Sequence, residues 1–329
     1  MPKDNIARGA INTVDVGTMI PAAQAHTVSE LRETFARLNC GINETQLVAL
    51  EGASISRKLS YIADMVWAKR KQSARYIQLW PALGLLEPAL FRTWQARVGI
   101  IIHDPVPLRR QFGYGAFSKL FARHYRDAKV DIISLTTDAT YELQRLLPGF
   151  RIVELAHPIR SVQTTSEKTA GTVLVAGQYK PARDLDLLAA IGLQLRAHGL
   201  TPQIIGRGWP TNIPGWEVRS DFVSDNELAA NIARASVILL PYRHFFQSGI
   251  MVQGLELNTP TVAPDTSFSR QVLGDGSPLV IAQHATPAQW VTALLHASSG
   301  AVNTAQLFND YQSRCDAAWG AYINTLIAA

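Results

Sequence analysis

The segment from Leu239 to Asp265, LLPYRHFFQSGIMVQGLELNTPTVAPD, constrains this chain more than any other. An apolar run, Val237–Leu240, leads into a polar loop and then a helical pattern that opens on Ser248-Gly249. A turn and a second apolar run, Thr261–Ala263, follow. A strand, a crossover helix and a second strand make the βαβ unit of a parallel sheet. A helix that starts on Ser-Gly also offers unpaired backbone N–H groups and the positive end of its dipole to an anion. Upstream, VLVAGQYKPARDLDLL (Val173 to Leu188) is a second strand-to-loop junction and carries two cations. Two such junctions in one half of a chain suggest a diphosphate cradle and an enzyme that uses a nucleotide-linked substrate.

The same alternation of apolar runs and helical patterns extends along the chain, and 329 residues allow about two domains. In the first half, strands are expected at Ile11–Val16, Gln46–Leu50, Tyr76–Leu79, Val98–Ile102, Asp131–Leu135 and Arg151–Leu155. Helices are expected at Val28–Leu38, Ser56–Arg70 and Phe117–Arg126. The stretch Ser161–Gly171, SVQTTSEKTAG, lacks apolar periodicity and reads as a linker. Beyond it, strands are expected at Thr172–Ala176, Pro202–Ile205, Val237–Leu240, Thr261–Ala263 and Leu279–Ile281. The fold class is therefore α/β, with two Rossmann-like doubly wound domains and a cleft between them. Residues 1–160 form the first domain, 171–311 the second, and a final helix within 312–329 packs back. Ligands of such sheets sit at the carboxyl ends of the strands, near the switch in strand order.

Charge divides the chain. Residues 1–160 hold 21 Lys and Arg against 14 Asp and Glu, and the rest holds 10 against 12. The clusters Arg57-Lys58, Lys69-Arg70-Lys71-Arg75 and Arg109-Arg110 suit an anionic membrane surface or a polyanionic acceptor, or else form a solvated face. Nucleic acid is not an expected partner, since the cations are not interleaved with aromatic residues. No apolar run is long enough to cross a membrane, and the N-terminus lacks a signal-peptide layout. Cys40 and Cys315 lack metal-ligand spacing and fit two buried thiols in a reducing cytoplasm. The expected location is cytoplasmic, peripheral on the inner face of the cell membrane.

Four ordered segments make the second half resemble the donor domain of GT-B glycosyltransferases, in particular glycosyltransferase family 4 and its exopolysaccharide-building relatives. They are GQYKPARDLDLL, the IIGRG turn (Ile204–Gly208), DFVSDNELAANIARASVILLPYR (Asp221–Arg243) and QSGIMVQGLELNTPTVAPD (Gln247–Asp265). In the first half, IIIHDPVP (Ile100–Pro107) and ELAHPIR (Glu154–Arg160) are similar to family segments that flank the cleft. The resemblance implies a hexosyltransferase that uses a nucleotide sugar, UDP-linked by family frequency, and a saccharide acceptor that is lipid-linked. No essential metal or other cofactor is implied, because basic residues and a helix end take its place.

By this resemblance Lys180 and Arg183 neutralise the donor diphosphate, or else are solvated loop cations. Ser248 and Gly249 either contact phosphate or form an ordinary helix cap. Gly177, Phe222, Val223, Tyr242, Arg243 and Gln253 would serve the nucleoside and sugar. Family members often carry two glutamates eight positions apart. Here those positions fall near Phe245 and at Gln253, which can bond a ribose hydroxyl but is not a carboxylate. His103 would contact the donor sugar or the leaving phosphate, and Asp104 would be the general base if the enzyme inverts. His157 matches a hinge position. The segment Leu79–Arg92 receives a lipid-linked acceptor or is core. Two alternatives remain open at this stage. One is a catalytically silent GT-B subunit, which the missing glutamates favour; the other is a nucleotide-sugar epimerase.

Overall fold

The computed structural model describes residues 12–18, 21–46, 75–107, 111–162 and 166–328, with a few positions between 54 and 63. Two compact units emerge. One comprises Met1–Arg160 with Cys315–Ala329, and the other Ser161–Arg314. Residues 47–50 of the strand expected at Gln46–Leu50, most of the helix Ser56–Arg70, and the cations Lys58, Lys69, Arg70, Lys71, Arg109 and Arg110 lie outside the described residues.

The first unit is built on a six-stranded parallel sheet in the order β2-β1-β3-β4-β5-β6. Its strands are β1 (Asn12–Thr18), β2 (Cys40–Gln46), β3 (Tyr76–Gln78), β4 (Val98–Ile101), β5 (Val130–Ser134) and β6 (Arg151–Glu154). Every residue of β3, β4 and β5 is buried, as expected of strands covered on both faces. β2 lies at the sheet edge and shares only Gln46 with the strand expected at Gln46–Leu50. Its sequence, CGINETQ, has no apolar run for a pattern search to find. Helix α1 (Pro21–Arg37) starts earlier than Val28, on a proline whose fixed φ suits a first helical position. A 3-10 helix (Gly84–Phe91) follows β3, and α2 (Ala116–His124) and α3 (Thr137–Leu146) come later.

Tyr76, Phe91 and Trp94 centre the core of this unit, with ring centroids 4.8–5.8 Å apart. Leu83, Leu85, Leu90 and Phe91 are buried there, so the segment offered as a lipid groove packs as core. The end of the last helix packs elsewhere in this unit, with the Trp319 ring 5.5 Å from that of Phe35 in α1. Trp319 donates its indole N–H to the Ala156 carbonyl at 2.9 Å, and Asp316 takes a bidentate ion pair from Arg37.

The second unit repeats the principle with β12-β11-β10-β7-β8-β9, again all parallel. These strands are β7 (Thr172–Ala176), β8 (Thr201–Ile205), β9 (Glu217–Arg219), β10 (Val237–Leu239), β11 (Thr261–Pro264) and β12 (Val280–Ile281). β9 was not expected from sequence, because it is three residues long, polar and at an edge. The helices are α4 (Leu185–Ala197), α5 (Asp225–Arg234), α6 (Gly249–Glu256), α7 (Ser267–Leu273), α8 (Pro287–Ser298) and α9 (Thr304–Ala328), which begins in this unit and ends in the first. Strand order reverses between β7 and β10, so their carboxyl ends flank the crevice where doubly wound sheets receive ligands. The expected two-domain α/β architecture is what the structure contains.

Candidate active site

Both sequence-derived junctions of the second unit end at that switch point, and the backbone ties them together. Arg183 and Tyr242 form an isolated antiparallel bridge. Asp184 N–H donates to the Pro241 carbonyl at 2.6 Å, and Arg243 N–H to the Ala182 carbonyl at 2.9 Å. Gly177 leaves β7 with φ +91°, a left-handed conformation that glycine adopts without a Cβ penalty. A Cβ there would sit 3.6 Å from Arg183 Nη2 and 3.7 Å from Ile250 Cδ1 in the first turn of α6. The loop after β7, the loop after β10 and the start of α6 therefore converge within the second unit.

Arg183 is the centre of this arrangement. Its side chain is only 3% exposed, so it is not a solvated loop cation. One Nη2–H donates to the Ala176 carbonyl at 2.9 Å. The guanidinium carbon lies 4.0 Å from the centroid of the Tyr242 ring and 5.3 Å from that of Trp209. Nε and Nη1 are buried and, among the described residues, have no hydrogen-bond partner. Burial pulls the guanidinium pKa down, partly opposed by Tyr242. Leaving charged donors unmet inside a protein is costly, and an anion supplies the acceptors they lack.

Trp209, a residue the sequence reading passed over, positions the loop. Its Nε1–H donates to the Gly177 carbonyl at 2.8 Å. Gly206 permits the same approach from β8, since a Cβ on it would lie 2.4 Å from that carbonyl oxygen. This gives the IIGRG turn a physical role: its glycine lets the chain pass close to the Gly177 carbonyl that Trp209 holds.

Helix α6 differs from its neighbours at its start. Asp184, Ser224, Thr266 and Thr286 cap α4, α5, α7 and α8 with side-chain oxygens. Ser248, the N-cap of α6, is buried and makes no side-chain cap bond. Gly249 is exposed, and a Cβ built on it meets nothing within 4 Å. The start of α6 thus has open space beside Gly249, while the Met251 N–H turns back to the Ser248 carbonyl at 3.1 Å. One turn further, the Gln253 Oε1 is buried without a hydrogen-bond partner.

The remaining second-unit candidates separate from this cluster. Lys180 is exposed on the loop that carries Arg183. Arg243 pairs with Asp186 at 2.6 Å and Asp184 at 3.3 Å, and lines a cavity of about 510 Å³ with Tyr242, His284 and Trp290. Phe222 is 73% exposed and Val223 half-buried, both on the loop between β9 and α5.

In the first unit, His103 follows β4 and is buried. Its Nε2 lies 3.1 Å from the Leu79 carbonyl at the end of β3, and its ring stacks on Trp80 with centroids 4.3 Å apart. A carbonyl only accepts, so Nε2 carries the proton in the neutral ring and Nδ1 is the acceptor nitrogen. Asp104 is half-buried beside Tyr114. Burial pushes that phenol's pKa well up, and the charges of Asp104 and Glu87 push it further. His157 is enclosed by the first unit's own packing. Its Nδ1 is 2.9 Å from the Pro158 carbonyl and 3.9 Å from Glu30 of α1, and its own carbonyl accepts from the Cys315 thiol.

No protein-family model and no curated protein matches the chain. Solved structures do match. The pneumococcal O-GlcNAc transferase GtfA, in complex with UDP and GlcNAc, aligns with a TM-score of 0.59 at 12% identity, over 83% of this chain and 61% of that one. This chain therefore spans about three fifths of the length of GtfA. A UDP-forming α,α-trehalose-phosphate synthase from Burkholderia vietnamiensis aligns at 0.61 and 10% identity, over 97% and 100%. WaaG, a glycosyltransferase involved in lipopolysaccharide biosynthesis, aligns at 0.52 and 14%, over 92% and 95%. At such identities the likeness concerns architecture, and this chain has the fold of the GT-B glycosyltransferases.

Proposed function

We propose that this chain is a glycosyltransferase that moves a hexosyl group from a UDP-sugar to a hydroxyl of a lipid-linked saccharide. The observation that carries this reading is Arg183, a buried guanidinium at the sheet's switch point with two nitrogens lacking acceptors. Ile250, in the first turn of α6, and Arg183 Nη2 lie 3.7 Å and 3.6 Å from the same Cβ position of Gly177. A diphosphate placed there would accept from Arg183 and from the first N–H groups of α6, with Lys180 adding charge from the loop.

In the transfer, the bond from the sugar's anomeric carbon to the phosphate oxygen breaks, and the acceptor oxygen bonds to that carbon. Negative charge grows on the departing diphosphate, where Arg183, Lys180 and the helix end stabilise it. Asp104 is the carboxylate that an inverting transfer would use to take the acceptor proton, and His103 would contact the donor sugar or the leaving phosphate. Gln253, with an unmet acceptor oxygen, would receive a hydrogen bond from a ribose hydroxyl. Similarity to GtfA, whose structure holds UDP, supports the choice of base.

A second reading, a nucleotide-sugar-binding subunit without turnover, rests on Gln253 standing where a glutamate is expected. Thermal-shift measurements with UDP, GDP, UDP-glucose, UDP-glucuronate and GDP-mannose test the site. Ligand at 100 times its Kd stabilises by about 2.7 kcal/mol. Uridine ligands should raise the melting temperature, Lys180→Ala should weaken the effect and Arg183→Ala should abolish it. Should neither variant change the response, the phosphate site is wrong. Binding with no sugar transfer to any acceptor would favour the silent subunit.

A further inference from the structure

Helix α2 of the first unit is amphipathic the wrong way round for a core helix. Its small residues Ser118 and Ala122 are the buried ones, while Phe117 is 74% and Leu120 59% exposed. Phe121, 37% exposed, completes a stripe at positions i, i+3 and i+4. In a globular helix that spacing of large apolar residues faces the core. Here it faces outward. Phe112, in the preceding turn, is also 64% exposed.

That turn is anchored. Gly113 has φ +84°, its carbonyl accepts from Leu85 N–H at 3.1 Å, and a Cβ on it would lie 1.9 Å from the Leu83 carbonyl oxygen. The helix start after Phe112 is thereby fixed to the core-packed segment around the 3-10 helix. Contiguous exposed aromatic surface of this kind marks an interaction site.

Charge identifies the partner. Between Asp104 and Asp127 the sequence has no acidic residue and five basic ones, Arg109, Arg110, Lys119, Arg123 and Arg126. Lys119 and Arg123 are exposed and lie one turn apart on α2, flanking the apolar stripe, and Arg126 follows, also exposed. An apolar helix face bordered by cations matches the interface of an anionic bilayer, where Phe and Leu enter the acyl boundary and Lys and Arg meet the phosphates. A protein groove would be expected to meet acidic and basic side chains together.

We infer that α2 and the Phe112 turn are a membrane-docking element that inserts into anionic phospholipid surfaces. The inference stands on the first unit alone and does not depend on the nucleotide reading of the second. It would bring the acceptor-side unit to the surface where a lipid-linked substrate resides.

Vesicle co-sedimentation tests it. The full chain is mixed with phosphatidylcholine vesicles containing 30% phosphatidylglycerol, and with pure phosphatidylcholine as control. Wild type should bind the anionic vesicles at least tenfold more tightly, with an affinity that falls as salt rises. Phe117→Ser/Leu120→Ser should lose at least tenfold of that binding, and Lys119→Glu/Arg123→Glu should remove the preference for anionic lipid. All four side chains are exposed, so both variants should keep the wild-type melting temperature and the same thermal response to UDP. Equal sedimentation of wild type and Phe117→Ser/Leu120→Ser would overturn the proposal. So would a wild-type dimer that this variant converts to monomer without any change in vesicle binding, since the stripe would then be a subunit interface.

Discussion

Replacing Gly249 by Asp should push folding and ligand binding in opposite directions, and the opposition isolates the role of the α6 start. Gly249 is the first residue of α6, it has no positive φ, and no atom lies within 4 Å of a Cβ built on it. Substitution there therefore carries no steric cost. A carboxylate in the first helical turn gains about 0.3–1 kcal/mol from the helix dipole. Removing a glycine whose backbone is compatible with an L-residue adds about 0.4–1 kcal/mol through the unfolded chain. Together these give about 0.7–2 kcal/mol, or roughly 1–8 °C in the melting temperature of a domain of this size. A diphosphate arriving at the same N–H groups would meet a like charge. At about 4 Å that repulsion is ~1 kcal/mol in water and ~4 kcal/mol at the effective dielectric of a protein surface. UDP affinity should fall at least fivefold. Calorimetric melting of the unliganded protein and titration calorimetry with UDP measure the two effects. Gly249→Ala serves as control, with the backbone gain but no added charge. A variant that melts higher and binds UDP as tightly as wild type would refute the claim that phosphate meets this helix end.

Two further predictions concern single side chains. Gln253→Glu should keep UDP affinity within about threefold, because a carboxylate accepts from a ribose hydroxyl as the amide oxygen does, whereas a tenfold loss would place phosphate opposite this residue. Both thiols should resist dithionitrobenzoate in the native protein at pH 8 and react fully in guanidinium. Cys40 and Cys315 are buried, and burial pushes the Cys315 pKa to about 12, which leaves a thiolate fraction of ~10⁻⁴ at that pH. Rapid titration of either thiol in the folded chain would contradict its described packing.

The sequence showed the buried centre of each sheet far better than its edges. β7 was read residue for residue because TVLVA is covered on both faces and so must be apolar throughout. β2 and β9 are edge strands with polar residues, and the alternation that would mark them is too short or too weak. The periodicity around Phe117, Leu120 and Phe121 did announce a helix, but a period gives no sign for which face is inside. Ser118 and Ala122 settle it by being small enough to pack closely against the neighbouring structure, and that is visible only once the contacts exist. Likewise Trp209 stands far from Gly177 in sequence, and nothing local signals that its indole N–H holds the Gly177 carbonyl.

The two loop arginines of the second unit show what composition leaves undetermined. From sequence, Arg183 and Arg243 are alike, each just beyond a strand and each a candidate for binding the donor. The backbone bridge between Arg183 and Tyr242 sends the two side chains to different fates. Arg243 stays outside and is neutralised by Asp184 and Asp186. Arg183 turns inward, over an aromatic ring and onto one carbonyl, and among the described residues no carboxylate pairs with it. A fold that already places two acids beside one arginine could have placed one beside the other. Keeping a buried guanidinium without a protein anion raises the energy of the empty chain, and the arrangement is best explained if the missing negative charge arrives with the substrate.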